Sequence, residues 1–269
     1  MPMILVGIVI MLAGYMRFTA VSQTTVVFPY RADAAKYYNY AYNLRNLSVY
    51  SNSPNAIAGN GEKVLPDAEA TPGYPLFLSL FADARPDFRI FLGIELWQAL
   101  LSTVTVLFIF MIFREFLPLW AAILVSLLAA ISPQLITLCT YILSETLFTF
   151  LLTLAILLLL MCRGYENKRK TILFLAGITF GLAALTRPIL QYFLPLIILL
   201  FFITYKRPPA IKASILIILG FILVWTPWVA RNYITLAKSG DSALMINTIQ
   251  FGSYPYFMYN NDPATRGFP

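Results

Sequence analysis

Four side chains in this sequence combine a usable charge with a telling setting: Asp33, Glu145, Arg187 and Arg231. Asp33 precedes a stretch in which Ala34, Tyr37, Tyr38, Ala41 and Leu44 recur at helical spacing. That spacing predicts an amphipathic, Tyr-rich helix suited to lie in a membrane interface. At its start Asp33 reads as an N-cap, its carboxylate accepting a backbone N–H. It also reads as a base able to take a proton from a substrate hydroxyl, and the two roles are compatible. Glu145 opens an apolar run in Leu143-Ser144-Glu145-Thr146-Leu147, where an ionisable group is costly enough to suggest a role. A carboxylate at a helix start is also favoured by the helix dipole. Arg187, in Leu185-Thr186-Arg187-Pro188, and Arg231, in Trp228-Val229-Ala230-Arg231-Asn232-Tyr233, each fit a snorkelling interface anchor. For a lone arginine the anchor is the favoured reading, but two of them on the acidic side also suit an anionic ligand, because guanidinium binds phosphate in bidentate fashion. Glu95 and Gln98 read as glue between helices.

Other chemistries lack their parts. The sequence has no histidine, which removes Ser/His/Asp catalysis and His-based zinc sites. It has no GxxxxGK[ST], GxGxxG or HExxH motif. Cys139 and Cys162 fall near opposite ends of one pair of apolar runs and are not expected to form a disulfide. No cofactor is expected; carboxylates alone can hold a divalent cation, which leaves that ion open.

The elements that must position these residues are apolar runs. Of 269 residues, 59% are hydrophobic and only 12% charged, too few charges for the polar shell of a soluble domain. The runs Met3–Met16, Ile90–Phe113, Leu117–Leu138, Leu143–Met161, Thr171–Thr186, Ile189–Tyr205 and Ala213–Ala230 are candidate membrane spans. In hydrocarbon they must be helices, since open strand edges would leave backbone groups unpaired. Gly73–Phe81 is too short to cross and reads as re-entrant or interfacial. The expected fold is an all-α, polytopic transmembrane bundle, one membrane-embedded domain over 1–269. Residues 17–89 form a first external loop with interfacial helices, and 231–269 a second long external segment. The first run has no basic flank and is taken as a span rather than a cleaved signal.

Lys and Arg concentrate in 163–170 and 206–212, with Arg114 on the same side if the spans alternate, which marks those loops as cytoplasmic. This placement accounts for the net charge of +7 without nucleic acid. Most carboxylates fall on the opposite, external face.

Several passages together resemble the bacterial members of the dolichyl-phosphate-mannose–protein mannosyltransferase-like group of GT-C membrane glycosyltransferases, which includes the aminoarabinose transferases. They are the Asp with its Tyr-rich helix at Arg31 to Leu44, Thr71-Pro72-Gly73-Tyr74-Pro75 and Ser132-Pro133 with Ser144-Glu145. Gly181 to Pro188, Pro227 to Tyr233 and Tyr259 to Gly267 continue the series. Where many relatives carry Asp-Glu, this chain has Asp33-Ala34. Relatives continue past this length, so the chain is expected to be an N-terminal portion.

The resemblance implies inverting transfer of a hexosyl or pentosyl group from a polyprenyl-phosphate sugar to a glycan, lipid or protein acceptor. The setting would be the external or periplasmic face of a multi-pass protein in the bacterial inner membrane, among membrane lipids. Asp33 would be the base, with Glu145 orienting the acceptor or sharing that role. Arg187 and Arg231 would stabilise the departing phosphate, and Arg31, Tyr37 and Asn232 would bind substrate. A transporter or flippase, or a non-catalytic remnant of the same fold, are the alternatives.

Overall fold

The structure, a computed structural model, describes residues 2–26, 28–162, 169–204 and 207–238. Among these residues every regular element is helical, as the apolar runs require. Helix α1 spans Pro2–Gln23, α5 Phe88–Arg114, α8 Glu145–Met161, α9 Arg169–Thr186 and α11 Arg207–Leu236. Among the described residues four helices are long and apolar enough to cross a membrane, and a fifth span forms if a bent pair is counted. Two shorter apolar stretches, Glu145–Met161 and Pro188–Ile203, complete the bundle. The second of these starts as a 3₁₀ turn, Pro188–Phe193, and continues as α10, Leu194–Thr204.

The expected span Leu117–Leu138 is not one helix. It divides into α6 (Leu119–Ala130) and α7 (Pro133–Thr137), extended by a 3₁₀ turn at Leu138–Thr140, with a 49° bend between the pieces. Pro133 lacks an N–H and pushes Ser132 into an extended conformation (φ −60°, ψ 116°), which ends the helix before it. The break leaves the last carbonyls of α6 without intrahelical partners.

Arg17 supplies those partners. The first run was expected to stop at Met16, yet α1 carries on through Arg17, which is fully buried. Its Nη1 donates to Ala130 O at 2.9 Å and to Ala13 O at 3.1 Å, its Nη2 to Ala129 O at 3.1 Å, and its Nε to Ser102 Oγ at 2.7 Å. A buried arginine is tolerable here because four acceptors replace its water.

Small residues close the other half of the bundle. A Cβ on Gly177 of α9 would lie 2.2 Å from Ile217 O, and one on Gly220 of α11 would lie 2.3 Å from Phe174 O. The two backbones therefore touch, the packing that small residues permit between membrane helices.

Three short helices sit over one end. Helix α2 spans Ala32–Leu47, α3 Asn55–Ala58 and α4 Gly73–Ser79; α4, at seven residues, is too short to cross, as expected. Tyr38, Ala41, Tyr74, Leu78, Phe91, Ile94 and Leu147 form one core that seats α2 and α4 on α5 and α8. Polar residues of α2 hold the end of α4: Arg45 Nη1 donates to Ser79 O at 2.6 Å and Asn46 Nδ2 to Ala82 O at 2.9 Å. Cys139 and Cys162 are buried free thiols.

Candidate functional site

Asp33 occupies the first turn of α2, but it does not cap that helix. The N-cap is Arg31, with extended backbone and no side-chain cap hydrogen bond. The N-cap reading of Asp33 is thereby corrected: its carboxylate stands exposed where the helix dipole favours negative charge. Ala32, between the two, has φ +49°, a left-handed backbone that costs an L-residue about 1–2 kcal/mol. Such strain persists where surrounding structure imposes it, commonly at functional sites.

Tyr37 lies one turn beyond Asp33 and points to the start of α8. Ser144 lies near its hydroxyl, and Asp33, Glu145 and Arg187 are all near enough to act on it electrostatically. Burial is the main cause that pushes this phenol above its ordinary range; Ser144 and Arg187 pull it down, while Asp33 and Glu145 push it up. Its ring meets Tyr74 of α4 edge to face at 5.1 Å.

Arg187, just past the end of α9, reaches across to the same place. Its Nη2 donates to Glu145 Oε1 at 2.5 Å and its Nε to Ser144 Oγ at 3.4 Å. The guanidinium also stands 5.9 Å from the centre of the Phe148 ring. The Arg187 side chain remains 42% exposed, open enough to meet a ligand. Glu145 Oε2 is buried with no hydrogen-bond partner among the described residues. Asp33, Tyr37, Glu145 and Arg187 thus come together from α2, α8 and the end of α9.

Arg231 and Asn232 lie elsewhere. Helix α11 continues to Leu236, beyond the expected end of the apolar run at Ala230, so both residues are helical. Arg231 Nη1 donates to Asp67 O at 2.7 Å and to Asn232 Oδ1 at 2.9 Å, and its Nη2 to Tyr50 O at 2.9 Å. Its guanidinium stacks near Tyr50 and Trp228, 5.3 and 5.5 Å from the ring centres. Asp67, which the sequence did not single out, is the hub of that loop. It accepts from the Tyr40 hydroxyl, from Asn52 N–H at 2.7 Å and from Ser51 Oγ at 3.3 Å. Arg231 therefore ties the loop between α2 and α4 to the last helix. Tyr37 packs against the Tyr40–Tyr50 cluster, so the two groups are neighbours.

A cavity of about 390 Å³ is lined in part by Asp33. Phe28, Arg31, Asp33, Glu95, Thr140 and Tyr141 are among its walls. The glue expected of Gln98 is present: it accepts from Tyr74 Oη at 2.7 Å and donates to Tyr141 O at 2.7 Å. Glu95 makes no such contact and faces the cavity. Among the described residues no group of three or more His, Cys, Asp or Glu side chains could hold a metal ion. The passage Tyr259 to Gly267 lies outside the described residues, as do the basic residues at 163–168.

Residues 69–230, more than half of the chain, match the family model described as dolichyl-phosphate-mannose-protein mannosyltransferase. No curated protein and no solved structure matches the chain.

Proposed function

Because the chain belongs to the dolichyl-phosphate-mannose-protein mannosyltransferase family of GT-C-type membrane glycosyltransferases, we propose that the cluster around Asp33 transfers a sugar, with inversion, from a polyprenyl phosphate to an acceptor hydroxyl. The observation that carries this reading is the Arg187–Glu145 pair, whose charges act, with that of Asp33, on the Tyr37 phenol one turn further along α2. The acceptor oxygen forms a bond to the anomeric carbon as the bond from that carbon to the phosphate oxygen breaks. The acceptor proton goes to Asp33, which is exposed and free of a capping role. The leaving group is a phosphate diester turned monoester, stable without a strong acid.

Arg187 is the candidate for the charge gathering on that phosphate, since a positioned guanidinium acts most where charge develops. Glu145 holds Arg187 through Oε1, which supports a role in positioning that guanidinium; its Oε2 is buried without a hydrogen-bond partner among the described residues. Arg231 and Asn232 serve the site through the loop they hold. The reaction face is the external one, where the carboxylates gather opposite the basic loops.

The test uses membranes containing the chain and labelled polyprenyl-phosphate mannose, with transfer to endogenous acceptors as readout. Asp33→Asn should lower transfer at least a hundredfold, within the range that general-base catalysis supplies. Transfer that survives this change intact removes Asp33 from the base role. Single cysteines at Ser53 and Arg114 should be labelled from opposite sides; labelling from one side refutes the orientation.

A further inference from the structure

Glu95 is 7% exposed on α5, and no side chain or backbone group among the described residues hydrogen-bonds or ion-pairs with it. Its carboxyl oxygens are not among the fully buried unpartnered atoms and so keep access to the space they face. What it faces is the 390 Å³ cavity, whose lining also includes Asp33 and Arg31. That volume falls at the small end of sites for small molecules, and most of the rest of the lining is apolar: Phe28, Tyr141 and Ile142. A few polar groups set in an apolar wall fix orientation and specificity in such sites.

Arg187 is not part of this lining; it pairs with Glu145 and acts on Tyr37. Asp33 therefore belongs to two groupings, a cationic one with Arg187 around Tyr37 and a carboxyl-bearing one with Glu95. Arg31 also lines the second, but two carboxyls outnumber it there, so a phosphate is drawn to the first. A neutral group rich in hydroxyls has the opposite preference, because Glu95 accepts its O–H donors and the apolar wall meets its carbon face.

We propose that the Asp33–Glu95 cavity is the acceptor pocket and that Glu95 binds an acceptor hydroxyl other than the one that reacts. This assignment rests on the transferase reading above. Asp33 would then reach the attacking hydroxyl from the cavity while the donor phosphate sits at Arg187. Glu95 would select acceptors that carry a second hydroxyl at the right distance.

Two measurements on the whole chain in membranes test this. The first uses labelled polyprenyl-phosphate mannose and separates transfer to endogenous acceptors from release of free mannose to water. Glu95→Ala should lower transfer tenfold or more and leave release unchanged, because water still reaches Asp33 and the donor is still held. Glu95→Gln, which keeps a hydrogen-bonding end, should fall between. Equal loss of transfer and release, or loss of neither, overturns the proposal. The second needs no donor. Glu95→Cys should react from outside with a mannose-bearing methanethiosulfonate at a rate within about tenfold of the small methyl reagent, against a wild-type blank whose two cysteines are buried. Reaction with the methyl reagent alone, or with neither, shows a pocket closed to a sugar and also overturns it. A wild type that neither transfers nor hydrolyses the donor refutes the transferase reading, and the cysteine rates then decide the pocket independently.

Discussion

Gly73 and Thr186 meet backbone to backbone: a Cβ on Gly73 would stand 2.5 Å from Thr186 N and 2.6 Å from Leu185 C. The contact presses the first residue of α4 onto the end of α9, one residue before Arg187. Two passages more than a hundred residues apart in sequence thus share one joint.

Gly73→Ala should open that joint, since neither wall is a flexible side-chain end. Overpacking of this kind costs about 1–3 kcal/mol. Thermal unfolding in detergent should show it, together with lower sugar transfer as Arg187 shifts. Gly93→Ala, where nothing lies within 4 Å, is the control. Equal behaviour of the two variants would mean that the α4–α9 contact does not set the site.

Arg187→Ala should separate chemistry from stability. The pair with Glu145 is 42% and 29% exposed, so screening leaves it worth at most about 1 kcal/mol to the fold. Its melting temperature should fall by no more than about 2–4 °C. Transfer should fall about 10²–10³-fold, as when one preorganised donor to a developing anion is lost. A variant with wild-type turnover would exclude Arg187 from the phosphate.

Arg231→Lys keeps the charge and loses the geometry, because an ammonium cannot span Tyr50 O and Asp67 O while stacking on two rings. Hydrogen bonds from a charged donor contribute about 1.5–3 kcal/mol each. The loop between α2 and α4 should loosen, seen as faster protease cleavage between residues 55 and 63, with a smaller loss of transfer than at Arg187. An unchanged cleavage rate would show that the loop is held by other contacts.

The tyrosines of α2 and its neighbouring loop should resist ionisation. Burial is the first cause that raises Tyr37, Tyr38, Tyr40 and Tyr50, and for Tyr40 the hydrogen bond to Asp67 adds to it. A raised folded-state value favours the fold while the phenol keeps its proton. The contribution is complete below the unfolded value of about 10 and disappears as pH climbs from there through the folded values. Tyrosinate absorbance should therefore rise in two classes, the later one coinciding with unfolding. Asp67→Asn should weaken the restraint on Tyr40. A single class titrating near pH 10 in folded protein would rule out this network.

Much of the bundle was legible because hydrocarbon leaves a chain few options: apolar runs of sufficient length become helices, and their approximate limits follow. Asp33, Glu145 and Arg187 were legible as charges beside apolar runs, where each is conspicuous. Their meeting was not, since it depends on Gly73 against Thr186 and on the rotation of α2. Glu95 and Gln98, three residues apart on one helix, looked alike in sequence. Only the helix's rotation turns Gln98 toward Tyr74 and Cys139 and Glu95 toward the cavity. Arg231 resembled a ligand for anions because its acceptors are carbonyls of distant loop residues, which no local pattern discloses. Asp67 had no signal at all, its partners being fixed only when the loop folds back.

The guanidinium that caps the broken helix belongs to a helix that leaves the ribosome ahead of α6. Ala129 and Ala130 would otherwise enter lipid with bare carbonyls, so α6 is born needing a helix already in the membrane. Synthesis in chain order delivers Arg17 before that need arises. Moving α1 to the far end of the chain by circular permutation would reverse the sequence of events, and α6 would have to wait, exposed to quality-control proteases, for its own cap.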